Sequence, residues 1–240
     1  MRNCVWLRLL LACGVGVAFA GDQIPATGGA IEITPITHAS VQVEQAGKVI
    51  QVDPWSRGDF SRVKAADLIL ITGIENDHLD LDAIRKIRKA GAPIVIPAAA
   101  KDKVPDGTVL ANGETKDVAG IRVEAVASYD LIPGEPFHPK GRGNGYVVTL
   151  GGKRLYFSGV TECVPEVQAL KNIEVAFICF NSPRGRMTPA AAASCVAAIK
   201  PKIVYPYHYR EGKVQDFKEA LKNEPVDVRL ADWYPAQSPK

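Results

Sequence analysis

The chain contains four histidines, His38, His78, His138 and His208. Each falls in a loop or at the end of a strand-like run, where loops present reactive side chains, and none falls inside a helical run. The densest group of chemical residues lies in "LILITGIENDHLDLDAIRKI", Leu68 to Ile87. There an apolar strand runs into an amphipathic helix, and Glu75, Asp77 and His78 crowd the joint. A carboxylate and an imidazole on adjacent residues of a tight turn can face one cavity, and both suit zinc or a similar divalent ion. The same turn also reads as a helix start in which Asp77, His78 and Asp80 only cap free N–H groups, a role worth about 1 kcal/mol. Spacing alone leaves both readings open.

The other histidines have less distinctive settings. His208 sits in "YPYHY" among Tyr205, Tyr207 and Tyr209, and His38 in "THAS" begins a strand, in a position for either a structural or a substrate-side role. His138 lies in "FHPKGRG", where Lys140 and Arg142 could attract an anionic substrate such as a phosphate or carboxylate, although solvated loop charges are the commoner explanation.

The elements that must position these residues follow from periodicity. "IEITPIT", "SVQVEQ" and "KVIQVD" (31–53) form an antiparallel meander with turns at His38-Ala39 and Gly47. "DLILIT" is a buried strand. The helix after it has Asp80 or Asp82 near its start and Gly91 at its close, and "PIVIP" is the next strand. Short strands "TVLA", "TKDVAG" and "IRVEAVAS" precede a long loop, "YDLIPGEPFHPKGRGNG" (129–145), of the length that tends to be functional. "YVVTL", "KRLYFSG" and "VAFICF" are strands, with a short helix over 165–171. Thr188 and Pro189 open a helix that Pro201 ends. "KIVYP" delivers His208 at its C-terminal end, and a helix over 214–222 and the strand "VDVRLA" close the chain. Strand runs followed by helices, in both halves, predict an α/β (α+β) protein of two mixed sheets packed face to face with helices outside.

Composition is that of one globular domain: 240 residues, 47% hydrophobic and 23% charged. The N-terminal "MRNCVWLRLLLACGVGVAFAG" has two arginines, an apolar run of about a dozen residues and a small-residue ending at Ala18-Phe19-Ala20. It reads as a secretory signal peptide over 1–20, leaving a domain over 21–240 in a periplasmic or secreted location. The run falls short of the roughly twenty residues of a membrane span. Leu10-Leu11-Ala12-Cys13 offers a lipid-anchor alternative at Cys13. Removing Arg2 and Arg8 from the 29 basic residues leaves 27 against 26 acids, a net charge of +1. Such a surface gives no electrostatic case for nucleic acid. Cys163, Cys179 and Cys195 remain, allowing at most one disulfide, and Cys179 and Cys195 lie in apolar runs that suit small core residues.

Taken in order, "ITHASVQVEQAGKVIQVDPWS", "ADLILITGIENDHLDLDAI", "FHPKGRGNGYVVTLGGKRLYFSGVTECVPEV" and "MTPAAAASCVAAIKPKIVYPYHY" resemble the metallo-β-lactamase superfamily, in its branch of small hydrolases related to ascorbate-phosphate lactonases. The resemblance covers Ile31 to Tyr209 and implies an αββα sandwich with a metal site at one edge of the sheets. The family's T-H-x-H-x-D-H motif maps to Thr72, Gly73, Glu75, Asp77 and His78, so both leading histidines are replaced. The aspartate of its G-D-T turn maps to Val160, and its last histidine to His208.

The resemblance therefore implies an eroded two-metal site that keeps Asp77, His78 and His208 for one divalent ion, zinc foremost, with manganese or iron as alternatives. Three protein ligands and an open water position suffice for hydrolysis of a small molecule, with Glu75 or His138 as general base. A different expectation is a pseudoenzyme that binds a ligand or partner in the old pocket and needs no metal. In a third arrangement Glu75 and His138 rebuild the first site for a harder ion.

Overall fold

The computed structural model describes residues 21–132, 136–180, 187–210 and 212–234. The expected signal peptide and Cys13 lie outside the described residues. Within them the expected sandwich is present, and its two halves follow the same plan. The first half begins with β1 (Asp22–Ile24), β2 (Ile31–Thr37), β3 (Ser40–Gln45) and β4 (Lys48–Val52), paired antiparallel in that order. It continues in parallel through β5 (Leu68–Leu70), β6 (Ile94–Ile96) and β7 (Thr108–Val109). The second half repeats the scheme. β8 (Thr115–Val118), β9 (Ile121–Ser128), β10 (Gly143–Leu150) and β11 (Lys153–Phe157) are antiparallel. β12 (Val175–Cys179), β13 (Ile203–Tyr207) and β14 (Asp227–Val228) then add in parallel.

This direction pattern determines where function can sit. Two antiparallel steps restore a strand's direction, so β2, β4 and β5 all end at one edge of the first sheet. By the same rule β9, β11 and β13 end at one edge of the second. His38, Asp53 and the 71–80 turn follow the first set, Ser128 ends β9, and Ser158 and His208 follow β11 and β13. Open sheets with parallel strands gather ligand sites at such carboxyl ends.

Side-chain alternation places Val41, Val43, Ile50, Leu68 and Leu70 of one sheet and Val123, Val148, Leu155 and Phe177 of the other in one shared core, all fully buried. Each such aliphatic side chain contributes about 2 kcal/mol. The outer face of the first sheet, Ile69, Ile71, Ile94 and Ile96, packs on Ile84 and Ile87 of α1 (Leu81–Ile87). The second sheet carries α2 (Pro165–Gln168), α3 (Pro189–Ile199) and α4 (Val214–Ala220). Thr188 caps α3 by accepting from the Ala191 N–H, with Pro189 at its first position as expected.

Some boundaries differ from expectation. α1 ends at Ile87, and Gly91 serves the turn beyond it rather than the helix end. β10 begins inside the expected loop, at Gly143. A Cβ there would meet the Thr72 carbonyl at 2.9 Å, and one at Gly145 would meet two carbonyls at 3.0 Å, so these glycines permit close pairing rather than a turn. β1 was not expected; it is a three-residue edge strand on β2. Cys195 is buried as expected, but it is disulfide-bonded to Cys163, joining α3 to the segment before α2, while Cys179 is free and buried. No helix among the described residues is long and apolar enough to cross a membrane.

Candidate metal centre

The helix-cap reading of the 71–80 turn is resolved by geometry. Asp80 alone supplies the cap of α1, accepting from the Asp82 and Ala83 N–H groups and also from Ser56. That leaves Asp77 and His78 for other work. Asp77 Oδ2 lies 3.1 Å from His38 Nε2 and 3.9 Å from His208 Nε2, and one ligating atom from each of these three residues falls within 4.8 Å of the others. His78 joins through its Nε2, 3.2 Å from His208 Nε2. Three imidazoles and a carboxylate, brought from three strand ends across two sheets, form one cluster.

The backbone is committed to this arrangement. His38, Asp53 and His208 all have positive φ, of 54°, 43° and 54°, a region that costs a non-glycine residue of order 1–3 kcal/mol and tends to persist at functional sites. The two sheets are joined here by a bond from the His208 N–H to the His38 carbonyl (3.0 Å).

Beneath the cluster lies Asp53, which is fully buried. Its carboxylate accepts from the Thr72 N–H (2.7 Å), the Thr72 hydroxyl and His78 Nδ1 (2.8 Å). A carboxylate on Nδ1 fixes the ring so that Nε2 faces the cluster, the usual support of a metal-binding histidine. Burial pushes the His78 imidazole down, but the charge of Asp53 and its hydrogen bond outweigh this and raise it to about 9. Burial holds His38 below the usual histidine range, and burial with the neighbouring His38 and His78 holds His208 well below it. Burial works against ionisation of Asp77, yet the bond to His38 and the charges of His78 and His208 keep it well below the usual carboxylate range.

The donor set fits a divalent cation. Zinc takes neutral imidazoles and an ionised carboxylate: His38, His208 and Asp77 are already in those states, whereas His78, raised by Asp53, must release its proton to bind, and His208 Nδ1 is buried without a partner among the described residues. One feature competes: Arg210 Nη2 lies 2.7 Å from Asp77 Oδ2.

The rest of the pocket is different. Gly73, Glu75, His138, Arg142 and Val160 line one small cavity together with His78. Glu75 bonds to Arg142 (Nη2 to Oε1, 2.9 Å) and to the Ile74 N–H (3.0 Å). His138 Nδ1 lies 3.3 Å from Asp130 Oδ1, and the Asp130 carboxylate also accepts from the His138 N–H (2.9 Å). Burial pushes the His138 imidazole down, despite the opposing charges of Asp130 and Glu75. Lys140, its neighbour in sequence, pairs with Glu166. The structure thus brings Asp77, His78 and His208 together and places Glu75 and His138 beside His78 on the cavity wall. Sequence reasoning did not assign Asp53 or the contact between His38 and Asp77. An aspartate ending a buried strand in "IQVDP" was the one available signal.

Comparison with known proteins agrees with this fold. The pattern of the beta-lactamase superfamily domain matches residues 32–208. A UPF0173 metal-dependent hydrolase of Methanopyrus kandleri is 27% identical over 229 residues, covering 87% of this chain and 99% of that protein. A crystal structure of a Parabacteroides distasonis protein named as a metal-dependent hydrolase superposes with a TM-score of 0.84 at 38% identity, covering 89% of this chain and 99% of the other. Igni18, a metallo hydrolase of Ignicoccus hospitalis, shares the fold with a TM-score of 0.71 at 19% identity, over 84% and 94% of the two chains.

Proposed function

Because the chain belongs to the beta-lactamase superfamily, we propose that it is a metal-dependent hydrolase of a small molecule, working with a single divalent ion. Asp77, His78 and His208, joined by His38, would hold that ion, and an imidazole-rich set favours zinc over manganese or iron. The observation that carries this reading is the convergence of His38, Asp77 and His208 within 4.8 Å. A bound ion of this kind supplies a water whose pKa falls towards neutrality.

The chain's own residues do the rest. Asp53 holds the His78 ring in place through Nδ1. His138 is the proposed general base: burial keeps it neutral, and with Nδ1 turned to Asp130 its Nε2 is left to take a proton. Glu75, the other candidate base, is held by Arg142 and serves to position that guanidinium. We place the protein outside the cytoplasm after removal of residues 1–20, a location supported by the Ala18-Phe19-Ala20 ending and by the Cys163–Cys195 disulfide.

A second reading, a binding protein without catalysis, is favoured by one observation. Arginines already neutralise two pocket carboxylates, Arg142 on Glu75 and Arg210 on Asp77. Elemental analysis separates the two readings. About one equivalent of metal in gently purified protein, lost in Asp77→Ala and His208→Ala, supports the hydrolase. Less than about a tenth of an equivalent after reconstitution with zinc, manganese or iron overturns it.

A further inference from the structure

We propose that Arg142 is the substrate-recognition residue of this pocket and that the ligand it takes carries an oxyanion, a carboxylate or a phosphate. The substrate class rests on the reading above, while the anion site itself stands on separate geometry. Arg142 enters the cavity from the start of β10, beside Gly143, and faces His78 and His138 across it. Of its five N–H donors only one makes a short bond, from Nη2 to Glu75 at 2.9 Å. Nη1 reaches only the Phe137 carbonyl, at 3.4 Å. Nε is buried with no partner among the described residues. A guanidinium is a planar fork that binds carboxylate and phosphate through two parallel N–H groups. Here that fork is partly engaged.

Glu75 is what engages it. Its carboxylate has the chemistry of the proposed ligand and occupies the guanidinium from within the chain. Gly73 makes this possible, because a Cβ at that position would stand 2.7 Å from Glu75 Oε2. The cavity offers only about 10 Å³ of free volume, room for a single water, so an anion reaches Arg142 by displacing Glu75. Among the described residues Arg142 is the only arginine or lysine that lines the cavity, and the nearby cations are engaged elsewhere. Lys140 is paired with Glu166 and Arg210 with Asp77. The Ser128 hydroxyl donates to the Val160 carbonyl. Asp130 lies behind His138, so the anion must be drawn by Arg142 itself rather than by a broadly positive pocket.

Two substitutions should therefore act in opposite directions. Inorganic phosphate and acetate are titrated into the full-length protein, as purified and after chelation, by calorimetry and by the ring signals of His138. Arg142→Gln should weaken binding by about tenfold or more, since a charge-assisted bond is lost. Glu75→Gln should tighten it severalfold, because the competing carboxylate is gone. Arg142→Lys, which keeps the charge but not the fork, should fall between wild type and Arg142→Gln. Stronger binding of phosphate assigns a phosphorylated ligand, and stronger binding of acetate a carboxylate. Wild-type protein that binds neither probe, Arg142→Gln that binds as wild type, or Glu75→Gln that weakens binding overturns the proposal. The same titration on His208→Ala separates the two claims. Anion binding that persists there supports Arg142 even if metal content rules out the hydrolase.

Discussion

Two adjoining walls that meet at His78 handle buried charge in opposite ways. On one, His38, Asp77, His78 and His208 converge, with one imidazole nitrogen that has no partner among the described residues and with Asp53 fixing one ring from behind. On the other, Glu75 is answered by a guanidinium from the same chain, and Val160 adds an apolar surface. A buried carboxylate must be paired or hydrogen-bonded. On the histidine wall Asp77 is answered by His38 and by the half-exposed Arg210, and the converging imidazoles leave room in that set for a cation taken from solution. The arginine wall meets the requirement internally. The glycine at 73 belongs to that internal solution, since it gives the Glu75 carboxylate its seat.

The largest effect should follow from removing a ligand on the histidine wall. His208→Ala should abolish retained metal and any hydrolytic turnover, while Arg142→Gln should leave metal content at the wild-type level. Equal metal loss in both would erase the distinction between the walls. Next comes Asp53→Asn. It removes a buried charge from three donors, so stability should fall by about 3 kcal/mol in urea denaturation and metal affinity by about 10- to 100-fold.

How much of this was legible beforehand can be argued residue by residue. The meander from Ile31, the strand at Leu68 and the Thr188 cap follow from periodicity and turn chemistry, whereas Asp77, His78 and His208 were singled out as ligands by the resemblance to the metallo-β-lactamase superfamily, because spacing left the helix-cap reading open. His38 was visible only as a histidine at a strand start, because its partner lies 39 residues away. The pairing of Arg142 with Glu75 spans 67 residues and crosses from one sheet to the other, and no local period records such a contact. Gly143 and Gly145 misled for a physical reason. Glycine marks both turns and close backbone approach, and only the neighbouring strand tells which.

Smaller effects sharpen the arginine wall. Gly73→Ala should cost about 1–2 kcal/mol by pushing Glu75 off its seat, and most of that cost should vanish in a Glu75→Ala background, as a double-mutant cycle by chemical denaturation would show. An unchanged cost would mean that Gly73 serves some other backbone need. The smallest effect concerns pH. Burial lowers the His138 pKa, so the ring stays a proton acceptor below the usual value of about 6.5. Both the acid limb of activity and the ring's share of stability should be lost only as pH falls below that value. Asp130 opposes the shift, so Asp130→Asn should move the acid limb of the pH–rate profile to still lower pH.

The central claim, one wall for an ion and one for a guanidinium, is tested most directly by anomalous diffraction at the zinc edge from crystals of metal-loaded protein. The account predicts a single peak among His38, Asp77, His78 and His208, with Arg142 still against Glu75. A peak beside Glu75 and His138, alone or as a second site, would contradict it.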